Sequence, residues 1–207
     1  MTRASTGLTR LQEPWFRDVN RFAAHTGWLH TPMRLYASYG IVVFAGLLLA
    51  GWWVARRRGD LARVACSLWA PLGVLLALAI NQPIANAVAE PRPYAALSHV
   101  LVLVPRHTDY SFPSDHAVMA GAVALALLVV DRTLGWVAAA LAVLMAFARV
   151  YVGAHFPLDV LVGLAVGALI SAVGYLVVRR PLLAIVTWAS RMPLRVLVDA
   201  TASSRRA

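Results

Sequence analysis

Arg149, His155 and Asp159 share the stretch Arg149-Val-Tyr-Val-Gly-Ala-His155-Phe-Pro-Leu-Asp159, and two more polar islands precede it, Phe112-Pro113-Ser114-Asp115-His116 and Glu90-Pro91-Arg92-Pro93. An imidazole attacks phosphorus only when one ring nitrogen is unprotonated and aimed. A carboxylate accepting from the other nitrogen fixes the tautomer and stabilises the charge that develops. Asp159 follows His155 by one helical turn and suits that role, although a helix-end histidine and a helix-start aspartate serving only as caps would show the same spacing. Pro157 favours the first turn of a helix, so His155 is expected just before that helix, facing the aqueous mouth. Ser114 follows Pro113, opens an apolar run and makes a good N-cap. Helix N-termini bind anions through free N–H groups and the dipole. His116 then falls in the first turn, where it could protonate a leaving oxygen; a capped helix start without chemistry is the plainer alternative. Arg92 and Arg149 supply guanidinium forks that match phosphate oxygens. Arg92 could instead anchor a headgroup, whereas Arg149 sits near the end of an apolar span, where a charge requires a partner.

A cation site built from His116, His155, Asp115 and Asp159 is a weaker reading. Its spacings match no metal motif, and two nearby arginines would repel the ion. His25, His30, His99 and His107 have no such company and read as interfacial or loop residues. Asn81, Gln82 and Asn86 read as loop-side polar groups or, the favoured reading, as helix–helix hydrogen-bonding groups.

The elements that must position these residues are apolar spans. The chain of 207 residues is 60% hydrophobic with a mean hydropathy of +0.70, well above the roughly 45–50% of soluble domains. Spans of about 20 apolar residues cross a bilayer, and the pattern predicts five: 35–55, 61–88, 114–130, 134–152 and 157–178. The expected fold is therefore all-α, a polytopic membrane bundle of five to six helices forming one domain. Within it, residues 1–33 contribute an interfacial amphipathic helix (over 8–31), 34–180 the bundle, and 181–207 a tail that is either an interfacial helix or a poorly ordered end. Residues 89–113, rich in Pro and charge, cannot lie exposed in hydrocarbon. The first 20 residues hold charges and no apolar core of a cleaved signal peptide.

All 19 basic residues are arginine and the net charge is +10. Because the arginines flank apolar spans, the surplus points to anionic headgroups and topology and away from nucleic acid. Arg56, Arg57, Arg58 and Arg63 follow the first span, and Arg179, Arg180, Arg191, Arg195, Arg205 and Arg206 follow the fifth. With those in the cytoplasm, all three polar islands meet on the opposite face, although Arg3, Arg10, Arg17 and Arg21 land there too. Cys66 is the single cysteine and reads as a small apolar residue. Nothing in the sequence sets an oligomeric state.

Taken together, Arg92-Pro93, Pro113-Ser114-Asp115-His116 and Arg149-x5-His155-x3-Asp159 resemble the three signature motifs of the type 2 phosphatidic acid phosphatase (PAP2) superfamily, in order, over about residues 81–160. The resemblance implies His155 as a nucleophile that becomes phosphohistidine, Asp159 as its orienter and His116 as the proton donor. Arg92, Ser114 and Arg149 would hold the phosphate, and no metal or other cofactor is implied. Three positions depart from the family pattern: Ala85 stands where the first motif has lysine, Asp115 where the second has glycine, and Ala148 where the third has serine. Arg106 is a candidate substitute for the lysine. Asn81, Glu90-Pro91-Arg92-Pro93-Tyr94, Val104-Pro105 and the run Asp109-Tyr110-Ser111-Phe112-Pro113-Ser114-Asp115-His116-Ala117 are similar to the bacitracin-resistance branch of undecaprenyl-diphosphate phosphatases. That branch implies a multi-pass protein of a bacterial plasma membrane. It would remove the terminal phosphate of a polyprenyl diphosphate on the extracytoplasmic side, recycling the cell-wall lipid carrier. The Ala- and Arg-rich, lysine-free composition suggests a high-GC source, with a decaprenyl carrier as one option. A phosphatase for phosphatidic acid or phosphatidylglycerophosphate, and a catalytically silent lipid binder or transporter, are the competing expectations.

Overall fold

Short polar turns cut the apolar sequence into helices. Asp60 accepts from the backbone N–H groups of Ala62 and Arg63 to cap one helix, directly after Gly59 closes the previous helix in the left-handed region (φ 65°). Asp131 caps another by accepting from Leu134 N at 3.0 Å, and it pairs with Arg58 at 2.6 Å. The computed structural model describes residues 7–192 and Val198. In chain order the helices are α1 (Gly7–His25), α2 (Gly27–Arg58), α3 (Leu61–Val88), the short α4 (Pro93–Ala96), α5 (Asp115–Val130), α6 (Arg132–Tyr151) and α7 (Pro157–Ser190).

Four of these, α2, α3, α6 and α7, are long and apolar enough to cross a membrane. α5 has 16 residues and spans about 24 Å at the α-helical rise. It is apolar all round and packs against α3, α6 and α7, so it is the bundle's central post. Phe44, Val64, Met119, Val123, Leu127 and Met145 form the main core around it. Its contact with α7 is very close: a Cβ on Gly167 would stand 1.8 Å from the Val118 carbonyl oxygen, so only glycine permits it. That approach brings the start of α5 against the start of α7, where Ser114 N–H donates to the Asp159 carbonyl at 3.0 Å.

Two boundaries differ from expectation. The helix expected over 8–31 breaks at Thr26, whose hydroxyl donates to the Phe22 carbonyl at 2.8 Å while its own carbonyl accepts from Tyr151 OH at 3.0 Å. The first span therefore begins at Gly27. α1 is amphipathic, with Leu11, Trp15 and Phe22 exposed, but it also docks on the bundle through Thr9, Gln12, Phe16, Asn20 and Ala23. The last helix does not stop at Arg179-Arg180; it continues through Pro181 to Ser190. The apolar stripe resumes after the proline and buries Val186 in the core, which outweighs the one missing N–H. The expected tail beyond Met192 lies outside the described residues, apart from Val198.

Candidate active site

The polar islands meet at one end of the bundle, opposite the Arg56–Arg58 turn and Arg179, around a cavity of about 730 Å³. α6 delivers Arg149 in its last turn, and the short loop before α7 delivers His155. Gly153 shapes that loop at φ 77°, where a Cβ would meet the Leu101 carbonyl oxygen at 2.4 Å. Backbone N–H groups of Ala154 and His155 turn back to the Arg149 carbonyl, at 3.1 and 3.3 Å.

His155 is only 2% exposed. Its Nδ1 lies 2.8 Å from the Ser111 backbone carbonyl, which can only accept, so the hydrogen-bond network assigns the proton to Nδ1 and leaves the Nε2 lone pair toward the cavity. Arg92 Nη1 stands 3.2 Å from Nε2, a contact consistent with that tautomer. Burial first, then the Arg149 and Arg92 charges, hold the His155 pKa well below the ordinary imidazole value, so the ring is neutral at pH 7.

Asp159 reaches the imidazole differently from the direct pairing expected. Its Oδ2 is 3.6 Å from Nδ1. The Ser111 hydroxyl donates to the same Oδ2, as does Phe156 N–H at 2.8 Å. The carboxylate thus holds Ser111 and the start of α7, and the Ser111 carbonyl holds the ring.

The two arginines are each 7% exposed. Arg92 caps α4 and is gripped by Asp109, Nε to Oδ1 and Nη2 to Oδ2, both at 2.9 Å, while Nη1 donates to the Ala154 carbonyl at 3.0 Å. Burial raises the Asp109 carboxyl, but the hydrogen bond and charge of Arg92 more than offset it and leave the pKa below the ordinary value. Arg149 Nη1 donates to the Ala37 carbonyl at 3.1 Å, and its Nε is buried without a hydrogen-bond partner. Ser114 does precede α5, yet its hydroxyl makes no capping bond and is likewise buried and unpartnered. His116, half-buried in the first turn of α5, lines the same cavity. All six predicted site residues therefore gather at one end of the bundle.

Asp115 is engaged from α3: Asn81 Nδ2 donates to Oδ1 at 2.7 Å and Gln82 Nε2 at 3.1 Å. This is the helix–helix role expected of the two amides. Arg106, the candidate substitute for the lysine, is not among the residues lining the cavity and its guanidinium lies over the Tyr94 ring at 5.7 Å, while Ala85 lines the cavity. His107, expected to have no company, lines the cavity too, and so does Arg34. Asp109 and Ser111 lie in a sequence motif that signals no role for either, and Arg34 carries no sequence signal beyond its place at the start of an apolar span. Among the described residues no three His, Cys, Asp or Glu side chains gather into a cation site.

A buried neutral imidazole under the charge of two guanidiniums, at one end of a bundle with four helices long and apolar enough to cross a membrane, suits phosphate-ester chemistry on a lipid. The chain belongs to the PAP2 superfamily, whose profile matches residues 66–183. The undecaprenyl-diphosphatase BcrC of Bacillus subtilis (strain 168) is 35% identical over 156 residues, 75% of this chain and 78% of that protein. The crystal structure of Aquifex aeolicus LpxE matches with a TM-score of 0.65 at 26% identity, covering 84% of this chain and 98% of that one. A PAP2-type phosphatidylglycerolphosphate phosphatase from Bacillus subtilis shares the fold at a TM-score of 0.58 and 20% identity, covering 81% of this chain and 85% of that one.

Proposed function

We propose that this protein removes the terminal phosphate of a polyprenyl diphosphate through a phosphohistidine intermediate, without a metal, and so recycles the carrier lipid of cell-wall synthesis. The observation that carries the mechanism is the Nδ1–H bond to the Ser111 carbonyl, which leaves Nε2 of a neutral, buried His155 as a lone pair at the cavity. In the first step Nε2 bonds to the terminal phosphorus as the bridging P–O bond breaks, and His116 gives its proton to the departing polyprenyl phosphate oxygen. In the second, His116 takes a proton from water as its oxygen attacks the phosphoimidazole, the P–N bond breaks, and inorganic phosphate leaves with His155 restored. Arg92, Arg149 and the Ser114 hydroxyl carry the charge on the phosphoryl oxygens. The contact between Arg92 Nη1 and Nε2 must open when phosphate enters. Asp159 acts through Ser111, keeping its carbonyl on Nδ1.

The diphosphate assignment is supported by the similarity to BcrC of Bacillus subtilis over three quarters of the chain. An extracytoplasmic site in a bacterial plasma membrane is supported by the arginines at the far end, Arg56, Arg57, Arg58, Arg63, Arg179 and Arg180. The test is phosphate release by purified protein from undecaprenyl diphosphate and from phosphatidic acid, with and without EDTA, beside His155→Ala. Turnover of the diphosphate that ignores EDTA and disappears in His155→Ala is expected. Loss of turnover with EDTA would overturn the metal-free step, and activity confined to phosphatidic acid would overturn the substrate.

A further inference from the structure

The donors at the buried end of the cavity are those assigned above to the attacked phosphoryl group. Four donor contacts of Arg92 go to Asp109, Ala154 and His155, and Arg149 spends one on Ala37, which leaves its unpartnered Nε and the Ser114 hydroxyl nearby. A diphosphate brings a second anionic group, lying between the attacked phosphorus and the lipid. The cavity is also bordered by α2 and α3. On the α2 side Leu35 and Tyr39 both line it and are 49% and 66% exposed. On the α3 side the lining is uncharged: Gln82, Ala85 and Asn86.

Arg34 stands on the α2 wall next to Leu35. Among the described residues it has no ion pair, hydrogen bond or ring contact; Arg10 on α1 is in the same state, but it does not line this cavity. Arg17 is paired with Glu13, Arg21 with Asp18 and Arg92 with Asp109, and Arg106 stacks on Tyr94. Arg34 is exposed, and its guanidinium fork, with no partner in the protein, is open to an anionic group.

Resting on the diphosphate reading above, we propose that Arg34 is a specificity-determining residue that binds the lipid-proximal phosphate. By this assignment Arg34 contributes to binding a diphosphate and nothing to a monophosphate seated on Arg92 and Arg149. Its contact is made before and during the reaction alike, so its loss falls on KM and not on kcat.

One reaction reads both ligands: hydrolysis of undecaprenyl diphosphate, giving its KM, with phosphatidic acid as a competing ligand, giving its inhibition constant. Arg34→Ala is expected to raise KM about 10- to 100-fold, the range for a lost charged hydrogen bond, while the inhibition constant of phosphatidic acid stays at the wild-type value. Arg34→Lys, which keeps the charge and loses the fork, should fall between. Equal weakening of both ligands, or no change in either, would overturn the proposal. If Arg34→Ala does not fold, Arg34→Gln and Arg34→Lys are read by the same ratio. Wild-type protein that leaves undecaprenyl diphosphate intact would instead defeat the preceding reading.

Discussion

Arginine does opposite work at the two ends of this bundle. At the end that carries the α2–α3 turn, Arg56 and Arg57 lie over the Trp53 ring at 5.2 and 4.9 Å, and the half-exposed Arg58 meets Asp131. Those are surface contacts that anchor and orient a membrane protein. At the site end Arg92 and Arg149 are buried, and their donors are directed at backbone carbonyls, a carboxylate and an imidazole nitrogen. Net charge cannot tell the two sets apart. What separates them is desolvation with partial saturation: the buried pair retains donor capacity facing a cavity, and the surface set faces solvent and headgroups.

The largest expected break of that contrast comes from removing one buried guanidinium. Arg149→Ala should lower kcat/KM by about 10²- to 10³-fold, as for other preorganised transition-state donors, while Arg57→Ala leaves turnover near wild type. The same substitution carries a pH signature. Because Arg149 and Arg92 help hold the His155 pKa below 6.5, the acid limb of wild-type kcat/KM, where His155 takes up a proton, should lie below pH 6.5. Removing Arg149 lets the imidazole protonate at a higher pH, so the acid limb should move up. An acid limb unmoved in Arg149→Ala would separate that arginine from the histidine.

A smaller loss is expected at Asp159. Where a carboxylate directly fixes a catalytic imidazole, its amide costs about 10⁴-fold through the wrong tautomer. Here a backbone carbonyl fixes the tautomer, so Asp159→Asn should cost only about 10- to 100-fold, the range for a partner one shell removed. A loss near the larger figure would mean that Asp159 contacts the ring during turnover. Smallest is Gln12→Ala on α1. It frees the Leu158 N–H that Gln12 accepts at 2.9 Å and should lower stability by about 1–3 kcal/mol. Chemical unfolding in detergent would show this, with little change in kcat.

The site was legible in the sequence wherever local rules reached it. α3 occupies the residues expected of it because the apolar run over 61–88 marks it, and the Asp60 cap starts it at that run's first residue. Arg149, His155 and Asp159 stood out because charge inside apolar sequence needs a cause. What stayed hidden depends on tertiary contact. The 89–113 connection has no periodicity, so nothing announced that Asp109 would clasp Arg92 or that the Ser111 carbonyl would take over the contact expected of Asp159. Arg34 likewise enters the site only because α2 leans its first turns over the cavity. The extension of α7 past Arg179-Arg180 escaped because a double arginine and Pro181 imitate a helix end, while Val186 packing overrides both.

The central claim is that Nε2 of His155 becomes phosphorylated. Undecaprenyl diphosphate labelled with ³²P in its terminal phosphate, mixed with enzyme and quenched in alkali within one turnover, should leave acid-labile, alkali-stable label on the peptide that contains His155. His155→Ala should carry none. Label on another residue, or label that persists in His155→Ala, would contradict the account.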